Sequence, residues 1–166
     1  MARDSADIDK VELLEALRQQ VADELQSITA SQKTTHAGAT HAESRSENDK
    51  DTRALESSYL ARGLASRVED MREAVAVLQQ LRLRAFDADT PVAVSALVRL
   101  EDEHDTAHHF LAPVAGGQRL EMGGTIISVV TPKSPLGRAL VGKCEGDELE
   151  LRTPRGMRYW SIVSVR

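Results

Sequence analysis

Carboxylates crowd the middle of the chain, where Glu43, Glu47, Asp49 and Asp51 fall within nine residues. Carboxylates set close together can share a hard divalent cation such as Mg²⁺, which takes oxygen ligands and keeps several of its waters. Two or three side chains without a cage hold such an ion weakly, so the remaining ligands have to come from a partner. The same residues equally suit a plain, solvated turn, because short acids are favoured where helices start. Glu47, Asp49 and Asp51 are thus candidate metal ligands or simple caps.

Other reactive residue types point less clearly to chemistry. His104 and His108 stand four apart with His109 following, a spacing that would suit zinc on a helix. Alternation and Pro113 favour a strand or loop there, so the expectation is a surface cluster. His36 and His41 are five apart and share no helix face. Cys144 is the only cysteine, which excludes an internal disulfide and fits a reducing compartment. Lys133, Arg138 and Lys143 form one basic group and Arg152, Arg155 and Arg158 another, while Arg45, Lys50, Arg53 and Arg62 mix with the central acids. Such charges are a solvated face, or they meet phosphates or an acidic protein surface. No phosphate-cradling glycine loop or nucleophile elbow occurs, so the residues support no self-contained enzyme.

The elements that position these groups fall into two halves. Between Val11 and Leu83 there is no proline, and the apolar residues keep a helical period: Leu14, Leu17, Val21, Leu25 and Ile28, then Leu64, Val68, Met71, Val75 and Leu78. Leu55 and Tyr59 extend the second stripe backwards and Leu81 carries it forward. Narrow stripes of this kind pack helices along a seam. Residues 31–50 carry no apolar side chain other than alanine, so they are either a long polar loop or the outer part of the two helices. Length matching favours an antiparallel hairpin over 9–83, turning between Arg45 and Asp51, with arms of roughly 55 Å.

After Leu83 the period changes. Residues 84–90 read as a link and 91–166 as a small antiparallel sheet with one short helix. Strands are expected over 91–100, 108–114, 125–130, 148–151 and 157–165, with Gly116-Gly117 and Gly123-Gly124 as turns. The helix lies in Ser134-Pro135-Leu136-Gly137-Arg138-Ala139-Leu140-Val141-Gly142-Lys143. Ser134 caps it, Pro135 starts it, Gly142 stops it, and Leu136, Leu140 and Val141 supply its apolar face. The fold class is α+β.

With 166 residues, 3% aromatics and a net charge of −5, the chain has room for two small domains and lacks the basic balance of a general nucleic-acid coat. No apolar run is long enough to span a bilayer and the N-terminus has no signal-peptide core. A soluble cytoplasmic protein is expected.

The run SPLGRALVGK from Ser134 to Lys143, followed by GDELELRTPRG from Gly146 to Gly156 and a closing strand, resembles the C-terminal domain of the Gre family of bacterial transcription elongation factors. The resemblance extends from about residue 9 to 166, and Arg67-Val68-Glu69-Asp70 is similar to the family's RIKEIE segment. It implies an N-terminal antiparallel coiled coil and a C-terminal domain of the FK506-binding-protein-like fold. It also implies a partner, bacterial RNA polymerase, with nascent RNA nearby and the chain acting as a monomer.

In the family the globular domain docks on the rim of the secondary channel and the coiled coil reaches inward. Two acids at its tip help the polymerase hold a catalytic Mg²⁺, and the polymerase cuts backtracked RNA itself. The chain would then be an accessory factor, with no stably bound cofactor of its own. Counting back from Arg67 places Asn48 and Asp51 where the family carries Asp and Glu, so one acid is an amide and the other is shorter. With an amide at Asn48, the expectation is that the adjacent Asp49 substitutes for it, so that Asp49 and Asp51 share the polymerase Mg²⁺ with Glu47 as helper. The resemblance makes Ser134, Pro135, Leu136, Gly137, Arg138 and Lys143 the docking residues. The tip segment NDKDTRALESSYLARG departs from the DLKENAEYHAA pattern, so a non-cleaving regulator or inhibitor in the same channel is the alternative. A peptidyl-prolyl isomerase is suggested by fold analogy alone, and the scarcity of aromatics argues against its proline pocket.

Overall fold

The structure is a computed structural model that describes residues 8–42, 50–153 and 156–166, with side-chain environments for 8–32, 58–152 and 156–166. Two long helices come first, α1 over Lys10–Ala42 and α2 over Lys50–Gln80. Asp9 starts α1: its carboxylate accepts from the Val11 amide at 2.7 Å and its carbonyl takes the first helical bond from Leu13 at 2.9 Å. The predicted stripe buries Leu14, Leu17 and Val21, with Leu13 beside them, and Val68 and Leu78 on α2. Arg18 faces the end of α2 while Glu24 meets Arg67 farther back along it, so the two helices run antiparallel as a hairpin. Tyr59, expected to extend the stripe, is instead 68% exposed. The expected turn at 45–51 falls on residues 43–49, which lie outside the described residues, and on the start of α2.

The chain divides into two compact units, Gln19–Ala76 on one hand and Met1–Arg18 with Val77–Arg166 on the other. The first consists of hairpin, with Val21 and Val68 buried in it. Its Arg67–Glu24 pair is 3.5 Å apart and largely exposed, an arrangement that adds little stability.

The second unit holds the hairpin's root and a six-stranded sheet: β1 (Leu97–Glu101), β2 (Thr106–Leu111), β3 (Arg119–Met122), β4 (Thr125–Val130), β5 (Glu148–Thr153) and β6 (Gly156–Val165), with α3 (Pro135–Leu140) between β4 and β5. The strand order is β3-β4-β2-β1-β6-β5. The sheet is antiparallel except for β2 and β4, which pair in parallel, a departure from the all-antiparallel expectation. The cause is β3, a four-residue strand that sequence reasoning missed. The chain leaves β2, crosses to the outer edge as β3, and returns through Gly123 and Gly124, both at positive φ. That tight hairpin sends β4 back in the direction of β2.

Strand β1 also starts later than the expected residue 91, because Ser95 breaks the extended run. It sits fully buried at φ 75, a conformation that costs a non-glycine residue on the order of 1 kcal/mol. Its amide donates to the Leu111 carbonyl at 2.8 Å and its hydroxyl accepts from the Arg84 amide at 2.9 Å. Both faces of the central strands are covered, since consecutive residues Leu97 and Val98, and Phe110 and Leu111, are all buried. One face carries the core of Val98, Leu100, Leu111, Trp160, Ile162 and Val165, with Leu140 of α3 packed into it.

The exit from α2 is held from outside. No basic residue stands in its last turn, yet the Arg18 guanidinium of α1 donates to the carbonyls of Leu78 at 2.9 Å, Gln79 at 3.1 Å and Leu81 at 3.3 Å. Carbonyls are left short of partners where a helix ends, although that of Leu78 also accepts the Leu81 amide at 3.2 Å, and a cation placed there offsets the helix dipole. Replacing Arg18 with Met is expected to lower unfolding free energy by about 2 kcal/mol in urea titrations. Arg18→Lys should recover only part of that, because an ammonium cannot span three carbonyls in one plane.

His109 gives a second test. Burial pushes its imidazole down to about 4 from the usual 6.5, helped by neighbouring His108 and opposed by the Ser128 carbonyl. The unfolded chain therefore takes up this proton first as pH falls. The stability tied to the neutral ring is complete above 6.5 and is lost on descent toward 4. His109→Gln should flatten the urea midpoint over that interval.

Candidate partner-docking site

The run from Thr131 to Lys143 is held by a network of local hydrogen bonds. Ser134 is the cap, with extended backbone at φ −68 and ψ 158, and its hydroxyl oxygen accepts from the Gly137 amide at 3.0 Å. The same hydroxyl donates to the Thr131 carbonyl at 2.8 Å, and the Ser134 amide donates there at 3.0 Å. Pro135 occupies the first turn, where a missing N–H costs nothing. Arg138 in the last turn complements the helix dipole. At the far end Gly142, at φ 84, stops the helix as predicted. The segment is then tied to Val92 by two backbone bonds, Gly142 N–H to Val92 O at 2.9 Å and Val92 N–H to Lys143 O at 2.8 Å.

Gly137 explains itself only in three dimensions. It is buried, and a Cβ there would lie 1.9 Å from the Thr131 carbonyl oxygen. The glycine thus lets the helix sit directly on the Thr131 backbone, with Ser134 bridging the two. Thr131 was not singled out from sequence; the available signal was a glycine inside a helix, where propensity alone disfavours it.

This packing sorts the candidate residues. Leu140 is fully buried and Leu136 is partly buried against the core. Pro135, Arg138 and Lys133 are exposed, and Lys143 is half-buried. Val141, expected on the buried face, is 45% exposed. Pro135 and Arg138 lie three apart on one side of the helix, and Val141 follows as its exposed C-cap. The outward surface is therefore an apolar strip of Pro135 and Val141 with cationic Arg138 between them.

The other basic group is different in kind. Arg158 is engaged: it pairs with Asp102, lies 2.8 Å from Asp105, and stacks 4.5 Å over the Trp160 ring. The carboxylates of Asp105 and Asp102 raise its guanidinium further above the usual value. Asp102 in turn is held below the ordinary carboxylate range, first by the His104 amide and also by the Asp105 amide and Arg158. This cluster fastens the β1–β2 turn to β6 and does not offer a phosphate site. Arg155 lies outside the described residues. His108 and His109 are half-buried rather than a surface cluster. Among the described residues no group of three His, Cys, Asp or Glu could hold a metal ion.

Glu47, Asn48 and Asp49 lie outside the described residues, and Asp51 is placed only as backbone in the first turn of α2. Among the described residues no helix is long and apolar enough to cross a membrane.

Residues 88–166 match the family described as transcription elongation factor, GreA/GreB, C-terminal. The transcription elongation factor GreA of Cereibacter sphaeroides (strain ATCC 17025 / ATH 2.4.3) is 31% identical over 121 residues, 73% of this chain and 72% of the relative. GreA of Polaromonas naphthalenivorans (strain CJ2) is 29% identical over 102 residues, 61% of this chain and 62% of that protein, so the match spans about three-fifths of its length. The solved structure of the transcription factor Gfh1 is 18% identical and covers 91% of this chain and 94% of that one, with a TM-score of 0.41. The chain belongs to the GreA/GreB family of transcription elongation factors.

Replacing Gly137 with Ala should cost about 3 kcal/mol by overpacking, and Ser134→Ala about 1 kcal/mol by loss of the cap. Thermal unfolding of the two variants checks the order.

Proposed function

We propose that this chain binds bacterial RNA polymerase through the outward surface of α3 and stimulates the polymerase to cleave backtracked RNA. The observation that carries the reading is family membership across most of the chain: the 121-residue match reaches well beyond the C-terminal domain into the hairpin. The α3 surface supports it with an exposed, rigidly capped patch of Lys133, Pro135, Arg138 and Val141. An apolar strip with cations at its side suits an acidic protein surface, where charge speeds and orients encounter.

In this reading the chain is an accessory factor and the reacting atoms belong to the polymerase. The hairpin's acidic turn enters the secondary channel, and Asp49 and Asp51, with Glu47 as helper, lend carboxylate oxygens to the polymerase's Mg²⁺. An added anion strengthens the hold on a metal that polarises the attacking water. One monomer suffices, with nascent RNA as its neighbour. Asn48 favours a second reading. An amide where the family carries an acid weakens metal affinity, and a factor so altered would occupy the channel and tune or inhibit nucleotide addition without cleavage.

Stalled, backtracked polymerase complexes separate the two. Wild type is expected to shorten the RNA, and the Asp49→Asn, Asp51→Asn double variant to bind equally but lose at least about tenfold of that stimulation. Binding without cleavage at any Mg²⁺ concentration selects the second reading. Reversing charge at Lys133 and Arg138 should weaken capture of polymerase most at low salt; unchanged capture would remove α3 from the interface.

A further inference from the structure

At the root of the hairpin, Lys10 holds together parts of the chain far apart in sequence. Its Nζ donates to the Arg84 carbonyl at 2.6 Å and to the Ser95 carbonyl at 3.2 Å. It also sits 4.8 Å from the centre of the Phe86 ring, which the Arg84 guanidinium shares at 5.3 Å. Ser95 is the strained, buried residue that precedes β1, and its hydroxyl accepts from the Arg84 amide. A single ammonium thus joins the first turn of α1 to both ends of segment 84–95. The charged group named beside it is a second cation, so nothing in this set of contacts offsets its charge except carbonyl dipoles and a ring face.

We propose that Lys10 is a site of Nε-acylation by donors of the acyl-phosphate class, and that acylation releases segment 84–95 from the first turn of α1. The amine is half-buried and still reaches solvent. Burial draws it down to about 8 from 10.5, and desolvated lysines of this kind are the nucleophilic ones. Its lone pair attacks the acyl carbon and a new N–C bond forms as the C–O bond to phosphate breaks. Phosphate leaves with that electron pair, and Nζ gives up a proton to water. The product is a neutral amide with one N–H. It can satisfy at most one of the two carbonyls, it has no charge to place over Phe86, and its added acyl group occupies space beside the ring. Deprotonation alone would leave two N–H donors, so acylation is the change that opens the contact.

The test uses the full chain and acetyl phosphate at about pH 8, with site-resolved mass spectrometry of initial rates. Lys10 is expected to react at least about fivefold faster than exposed Lys133. Amide hydrogen exchange over residues 84–97 should accelerate in the acetylated protein and in Lys10→Gln, but not in Lys10→Arg. A Lys10 rate at or below that of Lys133 overturns the site, and unchanged exchange after acetylation overturns the release. The rate measurement on unmodified wild type stands whether or not Lys10→Gln folds.

Discussion

A guanidinium lent by one helix to the open end of another fixes where the hairpin stops. Helix α2 reaches its last turn without a basic residue, and no glycine follows to fold its final carbonyls inward. Arg18 supplies what the local sequence lacks, and it is three-quarters buried in doing so. A cation that deep is tolerable because three carbonyls replace its water and the Glu15 carboxylate pairs with it at 2.7 Å. The geometry also ends the helix at a defined residue: a further turn would use the same carbonyls internally and leave Arg18 with only the Glu15 carboxylate, 2.7 Å away on its own helix. Everything that follows, from the link at 81–96 to the placement of β1, is counted from that point.

The second constraint is steric. Helix α3 is too short to be stable alone, and it persists because its first turn rests on Thr131 and its last residue, Leu140, is fully buried in the sheet core. Ser134 bonds forward to the helix and backward to the strand exit with the same oxygen. The helix is thereby fixed in rotation as well as position, so the side that carries Pro135 and Arg138 has no alternative but to face outward. Rigidity of this kind lowers the entropy lost when a partner docks.

Much of this was legible in the residues. The helical stripe from Leu14 to Val21, the α3 cap at Ser134 and the strand 125–130 follow from periodicity and capping chemistry, which act locally. The departures share a cause in long-range contact. Ser95 looks like strand sequence, and only the Leu111 carbonyl and the Arg84 amide fold it out of line. Four residues of β3 are too few to carry a period, yet they reverse the direction of the neighbouring strand. Arg158 is indistinguishable from a solvated arginine until Asp102 and Trp160 are placed beside it. Val141 keeps the spacing of a buried residue, but the helix ends at Leu140 and the chain turns away after Val141 at ψ 129, which leaves its side chain 45% exposed.

Strand order has a consequence for synthesis. Strand β6 lies between β1 and β5 inside the sheet, and its final pairs join Val165 to Val98 and exchange backbone bonds between Arg166 and Leu97. The hairpins β3–β4 and β5–β6 need only neighbours in sequence, whereas β1 waits for a partner more than sixty residues downstream. On a ribosome, β1 and β2 therefore emerge with one edge of β1 unpaired, and it stays so until β6 has emerged. An unpaired edge of Leu97, Val98 and Leu100 is a template for pairing with other chains. The vulnerable interval is the time translation takes to pass from β1 to β6, and chaperone demand falls there rather than on α1 and α2.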